Sequence, residues 1–150
     1  MIKHILLIFV VIFFAMNMGA SGIAPSFAAI WGGKLIRKKH ALILFTIFVI
    51  FGAMALGKNV SLTLGKHLIP GEFLSFEVAL IILGSACFSL FLANTLKIPQ
   101  STSQVTVGAV VGAGLYFRHL NTATLLFKIL PMWFILPLLS YGLTLLIYLK

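Results

Sequence analysis

The sequence predicts an all-α polytopic membrane protein with about five hydrophobic segments. Of its 150 residues 61% are hydrophobic and 9% are charged, whereas soluble proteins average about 45–50% hydrophobic and about 25% charged residues. The mean hydropathy is +1.18. A span needs about 20 residues, so the length allows a single transmembrane domain over 1–150. The net charge of +9 lies mostly between apolar runs, where basic residues set orientation in the bilayer, and we expect no nucleic-acid binding. The predicted location is the cell membrane.

The first segment runs without a charge from Ile5 to Gly33 and is interrupted by a polar gap, Asn17–Ser26. Gly19, Gly22 and Pro25 weaken a continuous helix there, because proline removes a backbone donor and clashes with the preceding turn. Unpaired backbone is tolerated at membrane depth only where protein or a watery cavity covers it. We therefore predict a broken or kinked first helix whose gap faces the interior, with a simple proline kink as the alternative.

The remaining apolar segments follow in a regular order. Ala41–Gly57 and Phe73–Leu96 read as single spans, and Leu120–Leu149 is long enough to be tilted or kinked. Ile98–Phe117 either spans the membrane or re-enters it as a half-helix. The proposed kink points in the last segment are Pro131 and Pro137.

Basic residues in the connections give only a weak orientation signal. If the loop 34–39 is cytoplasmic, as the positive-inside rule indicates, six basic residues lie inside and four outside. The inside set is Lys34, Arg37, Lys38, Lys39, Lys97 and Arg118, and the outside set is Lys3, Lys58, Lys66 and Lys150. This bias is compatible with insertion in both orientations.

A cluster of hydroxyls and amides between apolar runs predicts an anion site. Its candidate ligands precede a helix, where free N–H groups and the helix dipole favour an anion; discontinuous helices in transporters use this arrangement. Pro99 is expected in the first turn of that helix, since its missing N–H costs nothing there. Interhelical hydrogen bonding is the structural alternative. The predicted anion ligands here are Ser101, Thr102, Ser103 and Gln104.

The small residues after this cluster predict close helix packing. Gly108 and Gly112 have the small-xxx-small spacing that lets another backbone approach, and Gly114 follows one position after Ala113.

The polar gap of the first segment predicts the second half of the same site. Asn17 offers an amide and Ser21 a hydroxyl. The chain has no Asp and only two Glu, and none of them lies near either gap. Phosphate near neutral pH carries a P–OH that benefits from an acceptor, whereas sulfate only accepts hydrogen bonds. A site of hydroxyls, amides and N–H donors without a carboxylate therefore favours sulfate over phosphate.

Other chemistry has little support in the sequence. Asn17, Ser26 and Glu77 are the candidates for a coupling cation, H⁺ or Na⁺ in a symport. The single cysteine, Cys87, and four histidines show no catalytic or metal-binding spacing. We expect no enzyme activity, metal or cofactor.

At these motifs the chain resembles the inorganic phosphate transporter family. That family carries a Pro-x-Ser-Thr-[Thr/Ser]-[His/Gln] element before a glycine-rich helix, and Pro99–Gln104 followed by Val107–Gly114 matches it closely. In the family's Gly-Ala-Asn-Asp-x-x-Asn element, Asn17 matches, while Met18 and Ser21 replace the Asp and the second Asn. The stretch from Phe14 to Gly22 is more similar to the sulfate permease branch.

The resemblance implies one copy of an inverted-repeat unit. Family members build one site from two inverted repeats, and this chain holds one copy of each motif. The resemblance therefore implies an antiparallel homodimer, or a pair with a separate partner half, that transports sulfate by alternating access. The alternatives are a phosphate transporter, a non-transporting membrane subunit and a passive anion channel.

Overall fold

A computed structural model describes residues 2–149, and within them every regular element is a helix. The helices are α1 (Ile2–Gly32), α2 (Lys38–Leu62), α3 (Phe76–Thr95), α4 (Thr102–Phe117) and α5 (Thr122–Tyr148). All except α4 are long and apolar enough to cross a membrane. The predicted all-α polytopic fold is confirmed. Lys150 and the side chain of Lys66, both counted in the charge balance, lie outside the described part.

The predicted break in the first helix is wrong, because α1 continues through its polar gap for 31 residues. Pro25 removes only the hydrogen bond that its N–H would make to the carbonyl of Ser21. The neighbouring hydroxyls contact other carbonyls of the helix: Ser21 Oγ lies 3.0 Å from that of Asn17, and Ser26 Oγ donates to that of Gly22 (2.8 Å). The helix therefore remains continuous with one backbone hydrogen bond missing, at the carbonyl of Ser21.

Helices α1 and α3 pack side by side in the same direction. Lys3 pairs with Glu77 at their N-terminal ends (2.8 Å), and Asn17 contacts Asn94 near the end of α3. Because Asn17 is the middle of α1, α3 ends halfway along it. The second half of α1, from Asn17 to Gly32, extends about 22 Å further at 1.5 Å per residue.

Helix α4 returns antiparallel along α3, so the two form a hairpin. Gln100, just before α4, donates to Ser89 Oγ (3.1 Å), and Phe117 at its end lies 5.5 Å from Phe73, measured between ring centroids. At 16 residues α4 is about 24 Å long, short of the roughly 30 Å hydrocarbon core. Both ends of the hairpin lie at the N-terminal end of α1, and its tip, 96–101, lies beside the middle of α1. Residues 98–117 therefore form the returning half of a hairpin with α3.

The buried core lies at the open end of this hairpin. Leu68 and Ile69, which follow α2, are fully buried against α3 and α4. Gly114 of α4 lies so close to Leu120 that an added Cβ would be 2.9 Å from its Cδ1. The backbone N–H of Asn121 then donates to the carbonyl of Leu68 (2.9 Å). This cluster fixes where α2, α4 and α5 meet, and its buried members are Leu68, Ile69, Ile82, Val107 and Val110.

Helix α5 accommodates its first proline through a wide turn. Residues Leu125–Ile129 form a π-helical turn directly before Pro131, which is a common device where one helical hydrogen bond is missing. Pro137 lies inside the following helical stretch. The 18-residue apolar window of α5 has no buried residue, so its faces are open to lipid or to another chain.

Candidate functional site

A buried amide cluster joins α1 to the tip of the hairpin. The side-chain NH2 of Asn94 donates to Asn17 Oδ1 (3.1 Å) and to the carbonyl of Asn17 (3.2 Å), and Ser21 Oγ donates to Asn94 Oδ1 (2.8 Å). Asn17 Nδ2 donates to the carbonyl of Phe13 (2.9 Å), and Asn17 is only 7% exposed. We call Asn17, Ser21 and Asn94 the α1–α3 clamp. The predicted anion ligand Asn17 therefore has its amide oxygen and one N–H engaged within the protein.

A cavity of about 790 Å³ opens beside the clamp, between the second half of α1 and the hairpin tip. Its polar lining comes from hydroxyls and amides, and neither carboxylate side chain lines it. Small side chains and Pro25 make up the α1 wall and keep it wide. The lining residues are Ala20, Ser21, Gly22, Ala24, Pro25 and Ala28 with Ala93, Asn94 and Lys97–Thr102.

The N-terminus of α4 faces this cavity. Ser101 is the N-cap, and its Oγ accepts from the backbone N–H of Gln104 at 3.4 Å. The N–H groups of Thr102 and Ser103 fall in the first helical turn, where no intrahelical acceptor exists. The expectation that Pro99 begins this helix is wrong: Pro99 lies two residues before the N-cap, in the extended tip. The dipole end, the Thr102 hydroxyl and the Ser21 hydroxyl thus border one space.

The remaining predicted ligands of α4 lie elsewhere. Ser103 is exposed and lines neither this cavity nor its smaller neighbour. Gln104 lines the smaller cavity, of about 400 Å³, which lies between α3 and α4 and also contains Gln100 and Ser89. Of the six residues predicted to bind an anion, Ser21, Ser101 and Thr102 share the larger cavity.

The three candidates for a coupling cation are not brought together. Asn17 belongs to the clamp, and Ser26 bonds to the carbonyl of Gly22 one turn further along α1. Glu77 pairs with Lys3 at the other end of α3, 17 residues or about 26 Å from Asn94. Within the described residues, no three His, Cys, Asp or Glu side chains group to hold a metal ion.

The glycines of α4 divide into two kinds. A Cβ on Gly114 would collide with the side chain of Leu120 and approach that of Ile69. A Cβ on Gly108 or Gly112 would meet no atom within 4 Å among the described residues. A packing role for these two requires a neighbour from outside this chain.

Asn94 and Gln100 are polar residues of the site that the sequence analysis missed. Asn94 is the only amide in the apolar stretch from Phe73 to Leu96, and an isolated amide in a membrane helix needs a partner. That signal predicts a polar contact for Asn94, but not that the contact is Asn17.

Comparison with known proteins gives several matches. The model of the Phosphate transporter family matches residues 18–150. The chain is similar to sulfate permease CysP of Bacillus subtilis, with 45% identity over 134 residues, which is 89% of this chain and 38% of that protein. It is also similar to sodium-dependent phosphate transporter 1 of Mus musculus, with 34% identity over 81% of this chain and 19% of the transporter. A putative phosphate permease of Helicobacter pylori is 29% identical over 92% of this chain and 28% of the permease.

These matches confirm the resemblance predicted from the two motifs. The chain spans well under half the length of each of these relatives. No solved structure matches it significantly.

Proposed function

The chain belongs to the phosphate transporter family, and we propose that it is one half of a membrane permease for an inorganic oxyanion, most specifically sulfate. The observation that carries the proposal is the 790 Å³ cavity at the hairpin tip, where the N-terminus of α4 and the hydroxyls of Ser21 and Thr102 meet. The four membrane-length helices, together with the family, make the chain a multi-pass membrane protein.

The donor set of the cavity favours sulfate over phosphate. The Thr102 hydroxyl and the backbone N–H groups at the start of α4 can donate to an anion, whereas the Ser21 hydroxyl already donates within the clamp. The nearest acidic side chain, Glu77, is paired at the far end of α3. A fully deprotonated sulfate needs only donors, whereas a phosphate bearing a proton gains from an acceptor. The similarity to a protein named sulfate permease supports the same choice. Phosphate is the competing substrate, because other relatives are named phosphate transporters.

A second half is required to enclose the anion. The cavity is partly open, and Gly108 and Gly112 leave a bare strip on α4 that another helix can approach. We propose an antiparallel second copy, or a separate partner half, on this side. If the two halves exchanged their conformations, the site would open to each side of the membrane in turn, which is alternating access.

The backbone carbonyl oxygen of Ser21, in α1, is a candidate ligand for a coupling cation. Pro25 lines the cavity and has no N–H to donate to the carbonyl of Ser21, one turn earlier. A neutral carbonyl oxygen in this position is a ligand for Na⁺ rather than a proton carrier. We therefore propose Na⁺ coupling over H⁺ coupling, with Glu77 taking no part.

The test is uptake of labelled sulfate into liposomes containing the purified chain, with phosphate as competitor and Na⁺ and H⁺ gradients imposed separately. Thr102→Val removes a cavity hydroxyl while keeping side-chain shape, and Ser103→Ala is the matched control in the same helical turn. We expect saturable uptake that Thr102→Val abolishes and Ser103→Ala retains.

Each rival predicts a different result. A non-transporting subunit gives no uptake in any form, with Thr102→Val affecting only assembly. A passive channel gives flux without dependence on either gradient. Strong inhibition by phosphate at equal concentration would reassign the substrate.

A further inference from the structure

Lys97 places a positive charge at the hairpin tip, inside the candidate site. It follows α3 directly, and it lines the cavity together with Ser21 and Thr102. Asn94, one turn earlier, bonds to Asn17 and Ser21, and Ser21 is 11 residues, or about 16 Å, from the end of α1. Lys97 therefore lies beside the uncharged middle of α1, as the one charged side chain that lines the cavity. An ionisable side chain so placed among membrane helices is a candidate for a functional role.

The backbone conformation of Lys97 does not by itself distinguish it. Its φ of 57° is left-handed, and Lys34 after α1 and Arg118 after α4 have the same conformation, with φ of 56° and 58°. In each case the turn ends a helix; at Lys97 its N–H donates to the carbonyl of Asn94 (3.2 Å). What separates Lys97 from the other two is its position, since it alone of the three lines the 790 Å³ cavity.

No side-chain carboxylate of the chain is near enough to balance this charge. The two acidic residues are Glu72 and Glu77, and both precede or begin α3, whereas Lys97 follows its end. The 18 residues from Glu77 to Thr95 separate the two ends by about 27 Å, and Glu77 is already paired with Lys3. A cation in this position therefore has an anion in the cavity as its available counter-ion.

We propose that Lys97 is the residue that selects a divalent over a monovalent oxyanion in this site. The inference rests on the proposed function and adds to it. The α4 dipole and the hydroxyls supply hydrogen bonds that any tetrahedral oxyanion can accept. The ammonium group of Lys97 adds a full charge, which a dianion binds more strongly than a monoanion of the same shape.

Lys97→Gly tests the charge without straining the backbone, because glycine adopts a left-handed φ freely. Lys34→Gly is the matched control: it removes the same residue type from the same conformation outside the cavity. Lys97→Arg keeps the charge. The measurements are KM and kcat for sulfate uptake into liposomes, together with inhibition by perchlorate, a tetrahedral monoanion. Thermal unfolding in detergent, with and without sulfate, reports folding and binding independently of transport.

We expect Lys97→Gly to raise the KM for sulfate at least about tenfold, as loss of a charge-assisted contact does. The preference for sulfate over perchlorate should fall by a similar factor, while the variant unfolds no earlier than the unsubstituted chain without ligand. Stabilisation by sulfate should be lost in Lys97→Gly and kept in Lys97→Arg and Lys34→Gly.

Two results would overturn the inference while leaving the proposed function intact. One is an unchanged KM and unchanged preference in Lys97→Gly, which would reduce Lys97 to a helix-ending residue. The other is an equal loss in Lys34→Gly, which would indicate a general effect of surface charge. If the unsubstituted chain neither takes up nor is stabilised by sulfate, the proposed function fails, and this inference fails with it.

Discussion

Replacing Asn94 by leucine removes the central member of the α1–α3 clamp while keeping the number and branching of the side-chain heavy atoms. The change deletes three hydrogen bonds: two from the Asn94 amide to Asn17 and one from the Ser21 hydroxyl to Asn94. It also leaves the amide oxygen of Asn17 without a donor, in a residue that is 7% exposed. Both effects act against the native arrangement of α1 and α3.

The magnitude follows from membrane-protein averages. Interhelical hydrogen bonds are each worth about 0.6 kcal/mol in double-mutant cycles, so three contribute about 2 kcal/mol. An unsatisfied buried acceptor costs about 1–3 kcal/mol more. We expect Asn94→Leu to lower the free energy of unfolding by about 3–5 kcal/mol. Thr95→Val is the control: its hydroxyl bonds only to the carbonyl of Phe91 in the same helix, and its effect should stay within about 0.5 kcal/mol.

The assay is denaturation in detergent micelles followed by far-UV circular dichroism, for Asn17→Leu, Asn94→Leu and the double variant. Because the double variant leaves no unpaired amide between the two positions, its loss should be smaller than the sum of the single losses by at least about 1 kcal/mol. Strictly additive losses would refute the clamp, since they would mean that the two amides do not interact.

Three further outcomes follow from the packing and the ion pair. Glu77→Gln should leave sulfate uptake and its cation dependence unchanged, because Glu77 is about 26 Å along α3 from Asn94. If the variant lost its dependence on Na⁺ or H⁺, Glu77 would instead be part of the coupling site. Gly114→Ala should destabilise the chain by about 1–3 kcal/mol in the same denaturation assay, since its Cβ would be 2.9 Å from Leu120. Gly112→Ala should not destabilise the chain but should weaken pairing of two halves in cross-linking; undiminished pairing would exclude this strip as the contact.

The two polar motifs illustrate how far sequence reasoning reaches. Pro99–Gln104 and Asn17–Ser21 predict a shared polar site because donors in hydrocarbon must be satisfied, and the structure does place Ser21 with Ser101 and Thr102. It does not place Ser103 there, because one position along a helix turns a side chain by about 100°. A sequence motif identifies the residue types, but the rotation of the helix about its axis determines which of them face the cavity.

For the first helix, sequence reasoning predicted a break that the structure does not contain. Gly19, Gly22 and Pro25 favour a break when local propensity alone is considered, yet α1 is continuous. Asn94 donates to the backbone carbonyl of Asn17 from 77 positions away and so packs α1 against the hairpin. Local preference is overridden here by contacts that have no local signature.

The composition and the apolar runs by themselves determined the class of this protein and its helical segments, because transfer to hydrocarbon constrains each segment separately, and the two polar motifs indicated its family. Tertiary structure alone decided that α3 and α4 form a hairpin ending beside the middle of α1, that Asn17 bonds to Asn94, and that Lys97 lines the cavity. These depend on the depth and rotation of one helix against another, which are set by the sum of many weak packing contacts along both helices.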